Sequence, residues 1–326
     1  MTNDIVTGLH NGTTYSFKVA AVSRAGTGPA SAPSNQVTPA PPVTTPPVTT
    51  PPVTTPPVTT PPVTTPPVTT PPGASSLLLP LYDDNAADWQ RACSSLSGSS
   101  SFVVGDIGSP GGPGTSESSS WAANIGDCGG SHVGVMGYVD TGFCQVPLAT
   151  AESQVDNWYS WYGADGLSGI FFDEAADPAN PSSVAGCLSQ SSSAVDYYRT
   201  LAAYVHGKGA GQTVALNFGV NPVSNWAFSS ASAGQNADIA VIFEDPYSDY
   251  ANYGGSGAPW SPAPWEASYT PQHFSLLVYG ASGANQPAAA CSTLVHQNVG
   301  YGFITPANGW TSLPPAQFLA GELTDC

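Results

Sequence analysis

Gly166-Leu167-Ser168-Gly169-Ile170-Phe171-Phe172-Asp173-Glu174 is a short apolar run that stops abruptly at two acids. A run of this length that does not alternate with polar residues has the pattern of a strand buried on both faces, as in a parallel sheet. The pattern recurs on either side of it. Candidate strands begin at Leu77, Phe102, His132, Gly166, Thr213, Asp238, Phe274 and Val299, at intervals of 25 to 47 residues. Nearly every interval has room for a crossover helix. The 3.6-residue period is clearest over 150–162, where Val155, Trp158 and Tyr162 share a face, and over 192–206, where Val195, Tyr198, Leu201, Ala202 and Val205 do. The interval after the Asp238 strand is rich in Gly, Pro and aromatics, and its helix is expected to be degenerate. Eight strands with crossovers in ~250 residues predict an α/β fold, a (β/α)8 TIM barrel.

In such a barrel the C-terminal ends of the strands converge on one face, where active sites form. The residues closing the eight runs are Tyr82 with Asp83, Asp106, Tyr138 with Asp140, Asp173 with Glu174, Asn217, Glu244 with Asp245, Tyr279, and Thr305. None of them is Lys or Arg. A mouth lined by carboxylates suits glycoside hydrolysis, in which one carboxylic acid protonates the leaving oxygen and a second carboxylate attacks or activates water. Asp173 is expected as nucleophile or stabilising carboxylate and Glu244 as general acid/base, with the roles open to exchange. Glu174 would face away from the site on an ideal strand and joins it only if the strand has already ended. A retaining outcome is expected, which requires carboxyls ~5 to 5.5 Å apart.

Sugar rings present apolar faces to aromatic side chains, and cationic amino sugars gain further from π faces. Tyr82, Asp83, Asp106, Tyr138, Asp140, Asn217, Tyr247 and Tyr279 are therefore expected to bind substrate. Tyr250, Tyr253, Trp260, Trp265 and Trp310 also follow strand ends, and the aromatic-rich loop 246–270 is expected to form a substrate platform. Trp158, Tyr159, Trp161 and Tyr162 fall on a helix and are expected to pack against the barrel.

Five Lys and Arg against 22 Asp and Glu give a net charge of −17. Such a surface repels phosphate backbones and anionic membranes, so neither nucleic acid nor a membrane is expected as a partner. No apolar run approaches the ~18 residues of a membrane span. The sequence has no Gly-x-Ser-x-Gly elbow, and Gly108–Gly114 lacks the Lys-Ser/Thr ending of a phosphate cradle. No stretch has the spacing of an EF-hand loop. His132, His206 and His296 sit at element ends and are expected to be structural. No metal and no cofactor is expected; the expected partner is a polysaccharide substrate, taken by a monomer.

Ahead of the barrel, residues 41–70 are six perfect copies of Pro-Pro-Val-Thr-Thr. Paired prolines fix φ and remove donors, so 41–73 are expected as a polyproline II linker. Residues 1–40 contain the alternating Tyr15-Ser16-Phe17-Lys18-Val19 and the turn Arg24-Ala25-Gly26-Thr27-Gly28, which resemble the C-terminal part of a fibronectin type III domain. A complete sandwich needs about seven strands. The chain is therefore expected to be part of a longer one, which would also account for the missing signal peptide. The barrel domain is placed at 74–326. Its six cysteines, Cys93, Cys128, Cys144, Cys187, Cys291 and Cys326, are even in number and form no metal-ligand spacing. Three disulfides and a secreted protein are expected, with the pairing open; Cys291 with Cys326 would pin the C-terminus.

Leu79-Pro80-Leu81-Tyr82, Gly134-Val135-Met136-Gly137-Tyr138-Val139-Asp140-Thr141, Gly169-Ile170-Phe171-Phe172-Asp173-Glu174 and Phe243-Glu244 resemble the spherulin 4-like family, which includes glycoside hydrolase family 135. The resemblance covers about 76–326. It implies an extracellular (β/α)8 protein acting as an endo-hydrolase on α-1,4-linked N-acetylgalactosamine in galactosaminogalactan. It also implies that the family's Asp-Glu pair falls on Asp173 and Glu174 and its later Glu on Glu244. A catalytically silent, glycan-binding surface or spore-coat protein is the alternative.

Overall fold

The computed structural model describes residues 13–18, 22–23, 26–27, 30–34 and 36, and then 76–108, 111–177, 187, 193–222, 224–228, 236–283, 297–315 and 319. The chain divides into two units, Met1–Val68 and Thr69–Cys326. In the first, Val22–Ser23 pairs antiparallel with Gly26–Thr27, and the Ser34 N–H donates to the Phe17 carbonyl at 2.8 Å. These are the only elements described in the region of the fibronectin resemblance. The expected linker 41–73 lies outside the described residues.

The second unit is a closed barrel of eight parallel strands. In chain order they are β1 Ser76–Pro80, β2 Phe102–Gly105, β3 Gly134–Asp140, β4 Leu167–Asp173, β5 Thr213–Asn217, β6 Ile239–Pro246, β7 Phe274–Tyr279 and β8 Tyr301–Ile304. Each pairs with its sequence neighbours, and β8 returns to β1. Every strand starts within two residues of its expected position, as runs buried on both faces should allow. The helices between them are α1 Ala86–Leu96, α2 Ser119–Gly130, α3 Leu148–Tyr162 and α4 Ala194–His206. After β6 only the five-residue α5, Tyr247–Ala251, and short 3-10 turns remain. His132 lies in a turn ahead of β3 and does not open it.

Local chemistry explains the boundaries. Asn85 caps α1 by accepting from the Ala87 N–H at 3.0 Å, and Ser193 caps α4 by accepting from the Asp196 N–H at 3.1 Å. Trp158 of α3 is fully buried, and its indole N–H donates to the Tyr138 carbonyl at 2.8 Å. That seat requires Gly137, since a Cβ there would overlap the Trp158 ring. Gly137→Ala would thus push α3 off the barrel. The Cys93–Cys128 disulfide ties α1 to α2, and Cys144–Cys187 ties the loop after β3 to the segment after β4. Cys291 and Cys326, the remaining two cysteines, lie outside the described residues, as does His296. Among the described residues no helix is long and apolar enough to cross a membrane.

Candidate active site

Two strands depart from regular pairing, and they are the two that carry the expected acids. Between β3 and β4 the register shifts so that Val135 pairs Leu167 while Met136 pairs Gly169. Ser168 is the extra residue, and its hydroxyl takes up the freed Val135 N–H at 2.8 Å. Between β6 and β7 the pairing jumps from Val241–Ser275 to Phe243–Leu276, leaving Ile242 extra. A bulge reverses which side chains face inward beyond it. Past these bulges, Asp173 and Glu244 meet at the C-terminal mouth.

Their meeting point is Asn217, at the end of β5. Its amide nitrogen donates to Asp173 Oδ1 at 2.6 Å and also to Glu244 Oε2. The amide cannot be turned over without loss, because its Oδ1 already accepts from the Gly219 N–H at 3.0 Å. Two hydrogen bonds from one nitrogen hold the nearest carboxyl oxygens within about 5 Å of each other.

The two acids are nevertheless held differently. Asp173 accepts from Asn217 and from the Tyr138 hydroxyl at 2.6 Å, and the Glu174 backbone N–H is close by. Burial raises its pKa, but these three donors pull the other way by stabilising the carboxylate. Glu244 accepts from Asn217 and, at 2.9 Å, from the Trp310 indole N–H. Burial and then the neighbouring Asp173 charge push it up to about 7. Both carboxyls are raised on balance, Glu244 to about 7, and Asp173 is the one with more donors to its anionic form.

The other expected residues divide. Tyr82 belongs with the pair: its ring lies edge-on to Tyr138 at 5.6 Å, and burial followed by the Asp173 and Glu244 charges raises its phenol well above the ordinary value. Tyr138 and Asn217 are 8% and 4% exposed. Their polar groups hydrogen-bond the acids. Glu174 is exposed, at φ 48°, just past the end of β4. Burial and the charges of Asp140 and Asp173 raise its carboxyl. Asp83, Asp106 and Asp140 hold loops by accepting the Asn85, Gly112 and Gly142 N–H groups at 2.9, 2.7 and 2.7 Å. Tyr279 packs edge-on against Trp310 at 5.7 Å. Tyr247 opens α5 and packs toward Tyr250 at 6.2 Å.

The aromatic loop after β6 differs from the expected platform. Trp260 is fully buried and Tyr250 nearly so; the two rings stack on each other and meet Phe243 edge-on or tilted. Without a full crossover helix there, these rings cover that side of the barrel themselves; only Tyr253 is exposed. Trp158 and Tyr162 are buried, as expected of barrel packing. The Trp310 contact with Glu244 carried no sequence signal beyond an aromatic residue after the last strand. His206 closes α4 and bonds Asp238 at 2.8 Å, away from the mouth. Among the described residues no group of three or more His, Cys, Asp or Glu side chains is arranged to hold a metal ion.

The model of spherulation-specific family 4, Spherulin4, matches residues 76–319, the whole span from β1 past β8. The chain belongs to this family. Among solved structures, the spherulin fold here is similar to the crystal structure of Aspergillus clavatus Sph3 in complex with GalNAc, with a TM-score of 0.60 and 18% identity over 77% of this chain and 98% of that one. The aldose reductase of Giardia lamblia reaches a TM-score of 0.41 at 12% identity, covering 76% of this chain and 86% of that one. The aldo-keto reductase AKR11C1 of Bacillus halodurans reaches 0.39 at 9%, covering 78% and 93%. No curated protein matches this spherulin in sequence.

Proposed function

We propose that this spherulin is a secreted, endo-acting glycoside hydrolase that cleaves α-1,4-linked polymers of N-acetylgalactosamine and galactosamine. The observation that carries the reading is the shared Asn217 amide, which brings Asp173 and Glu244 together at the mouth. Carboxyl oxygens held within about 5 Å by one amide favour a retaining double displacement. Support for the sugar comes from the similarity to Sph3, whose structure holds GalNAc. The two described disulfides support an extracellular setting.

In this reading Glu244 gives its proton to the glycosidic oxygen while an oxygen of Asp173 attacks the anomeric carbon and the C–O bond to the leaving sugar breaks. Water then attacks the glycosyl-enzyme ester. Glu244 takes its proton, and Asp173 leaves as a carboxylate. Tyr138 and Asn217 stabilise the Asp173 carboxylate and aim it, and Trp310 fixes Glu244. Glu174 completes the acidic rim and meets the amino group of a deacetylated unit, with the net charge of −17 drawing in a cationic polymer.

Galactosaminogalactan incubated with the full chain should release oligosaccharides, and Asp173→Asn should stop release while leaving the circular-dichroism spectrum intact. Binding without release by the wild-type chain would overturn the hydrolase reading in favour of a silent glycan-binding protein.

A further inference from the structure

At the corner that Asp173 and Glu174 form after β4, two hydroxyl side chains are fully buried: Thr141, just past β3, and Tyr198, on α4. Their oxygens lie 2.9 Å apart. The Tyr198 hydroxyl accepts from the Ala176 N–H at 2.8 Å, and the Thr141 hydroxyl lies 2.7 Å from the Asp173 carbonyl and 2.9 Å from that of Glu174. Carbonyls only accept, so the Thr141 proton goes to them and the Tyr198 proton goes to Thr141 Oγ1. The chain of donors runs from the Ala176 amide through both hydroxyls to the carbonyls of Asp173 and Glu174. Two side chains thus close the corner 173–176 in place of the direct carbonyl-to-amide bond of an ordinary turn.

Neither carbonyl needs the hydroxyl merely to be satisfied. The Thr141 N–H already donates to the Asp173 carbonyl at 3.1 Å, and the Phe143 N–H to that of Glu174 at 2.8 Å. The corner itself is costly: Glu174 sits at φ 48°, a left-handed conformation for a residue with a Cβ. Strain of this kind persists only where the surroundings over-determine it. The same corner reaches the acid pair. The Ala175 N–H donates to the Asn217 carbonyl at 2.8 Å, and the side-chain amide of Asn217 is the one that both acids share. The Tyr198 ring is seated independently of its hydroxyl, edge-on to Tyr197 at 5.1 Å and beside Trp226 at 5.9 Å.

Resting on the hydrolase reading above, we infer that Thr141 and Tyr198 are positioning residues: their hydroxyl bridge holds the left-handed corner at Glu174 and thereby aims the Asp173 carboxylate at Tyr138 and Asn217. They act through the backbone of the acid. Without the bridge the corner relaxes, and Asp173 turns away from its two side-chain donors.

The test is Thr141→Val, which keeps the shape of the side chain and removes its hydroxyl, beside Thr141→Ser and Tyr198→Phe, all in the full chain. Oligosaccharide release gives kcat and KM. Carboxyl-carbon NMR, with the Asp173 signal assigned by its absence in Asp173→Asn, follows the titration of that acid by itself. The titratable groups around Asp173, namely Tyr82, Asp106, Tyr138, Asp140, Glu174 and Glu244, are retained in all three variants. Thr141→Val should lower kcat roughly tenfold while KM stays within about twofold. It should also move the Asp173 titration to higher pH, because a carboxylate with looser donors holds its proton more tightly. Thr141→Ser should recover most of both losses, and Tyr198→Phe should repeat the shift with its ring packing intact. A lowered Tm with parental kcat and an unmoved Asp173 titration in Thr141→Val and Tyr198→Phe would make the bridge a support of the fold alone and overturn the inference. A moved titration in a chain that never releases product would uphold the bridge while removing the hydrolase reading; product release with an unmoved titration would do the reverse.

Discussion

Glu244 and Glu266 are both glutamates whose carboxyls burial pushes up to about 7, but they sit in different company. Glu244 closes on a second acid, an amide and an indole N–H at the mouth of the barrel. Glu266 lies in the 3-10 turn Pro264–Ser268, is 1% exposed, and neither of its carboxyl oxygens has a hydrogen-bond partner among the described residues. Only the Ala263 N–H is close enough to offset the shift, outside good hydrogen-bond geometry. Burial alone therefore produces the same proton affinity at a useless place as at a useful one. What distinguishes Glu244 is its company: a second acid that shares the Asn217 amide with it at the C-terminal end of the strands.

The largest expected effect tests that distinction directly. Glu244→Gln removes the transferable proton and should cut kcat roughly 10²- to 10⁴-fold, whereas Glu266→Gln should leave kcat where it was. Oligosaccharide release by the two variants, assayed side by side, checks it; equal losses would erase the contrast.

Stability against pH comes next. An unfolded glutamate ionises near its ordinary value while folded Glu266 keeps its proton up to about 7. Its contribution to stability is therefore complete below the ordinary glutamate range and is lost as pH rises through 7. Glu266→Gln stays neutral throughout. It should flatten this decline and leave the variant more stable than the parent above neutrality, by up to about 3 kcal/mol. Urea melts at acidic and at mildly alkaline pH measure it, and a parent-like slope in the variant would place the burial cost elsewhere.

The smallest effect sharpens the picture at Glu244 itself. Trp310→Phe keeps the ring but removes the N–H that stabilises the carboxylate. The Glu244 pKa should rise further, moving the basic limb of the kcat/KM profile to higher pH by less than about one unit. A limb that moves down, or stays fixed, would mean that the indole does not set the acid.

Much of this was legible from residues alone, for a physical reason. Strands buried on both faces declare themselves as apolar runs, and runs such as Gly169–Phe172 must end where the barrel meets water, so Asp173 and Glu244 mark strand ends in the sequence itself. The two bulges were not legible. A period-two signal vanishes when both faces are apolar, so nothing in the sequence singles out Ser168 or Ile242 as the extra residue. Burial of Tyr138 and Asn217 was hidden for a related reason: a polar side chain at a strand end looks the same whether it greets a sugar or steadies a neighbouring acid. The loop 246–270 misled in the opposite sense. Its aromatics suggested an open platform, but with only five residues of helix after β6, the rings of Tyr250 and Trp260 are consumed in covering the barrel.

The closure between β8 and β1 rests on two register pairs, Tyr301 with Ser76 and Gly302 with Leu77, against six between β3 and β4. Ser76 is also where the chain enters the barrel, so tension applied through the preceding segment arrives first at this seam. Pulled along its axis, β1 loads its bonds to β8 and β2 in shear, all at once, a direction in which a ladder resists far better than when peeled bond by bond. The strand by which the chain enters is thus flanked on both sides, and a pull on it is shared by the barrel as a hoop shares strain.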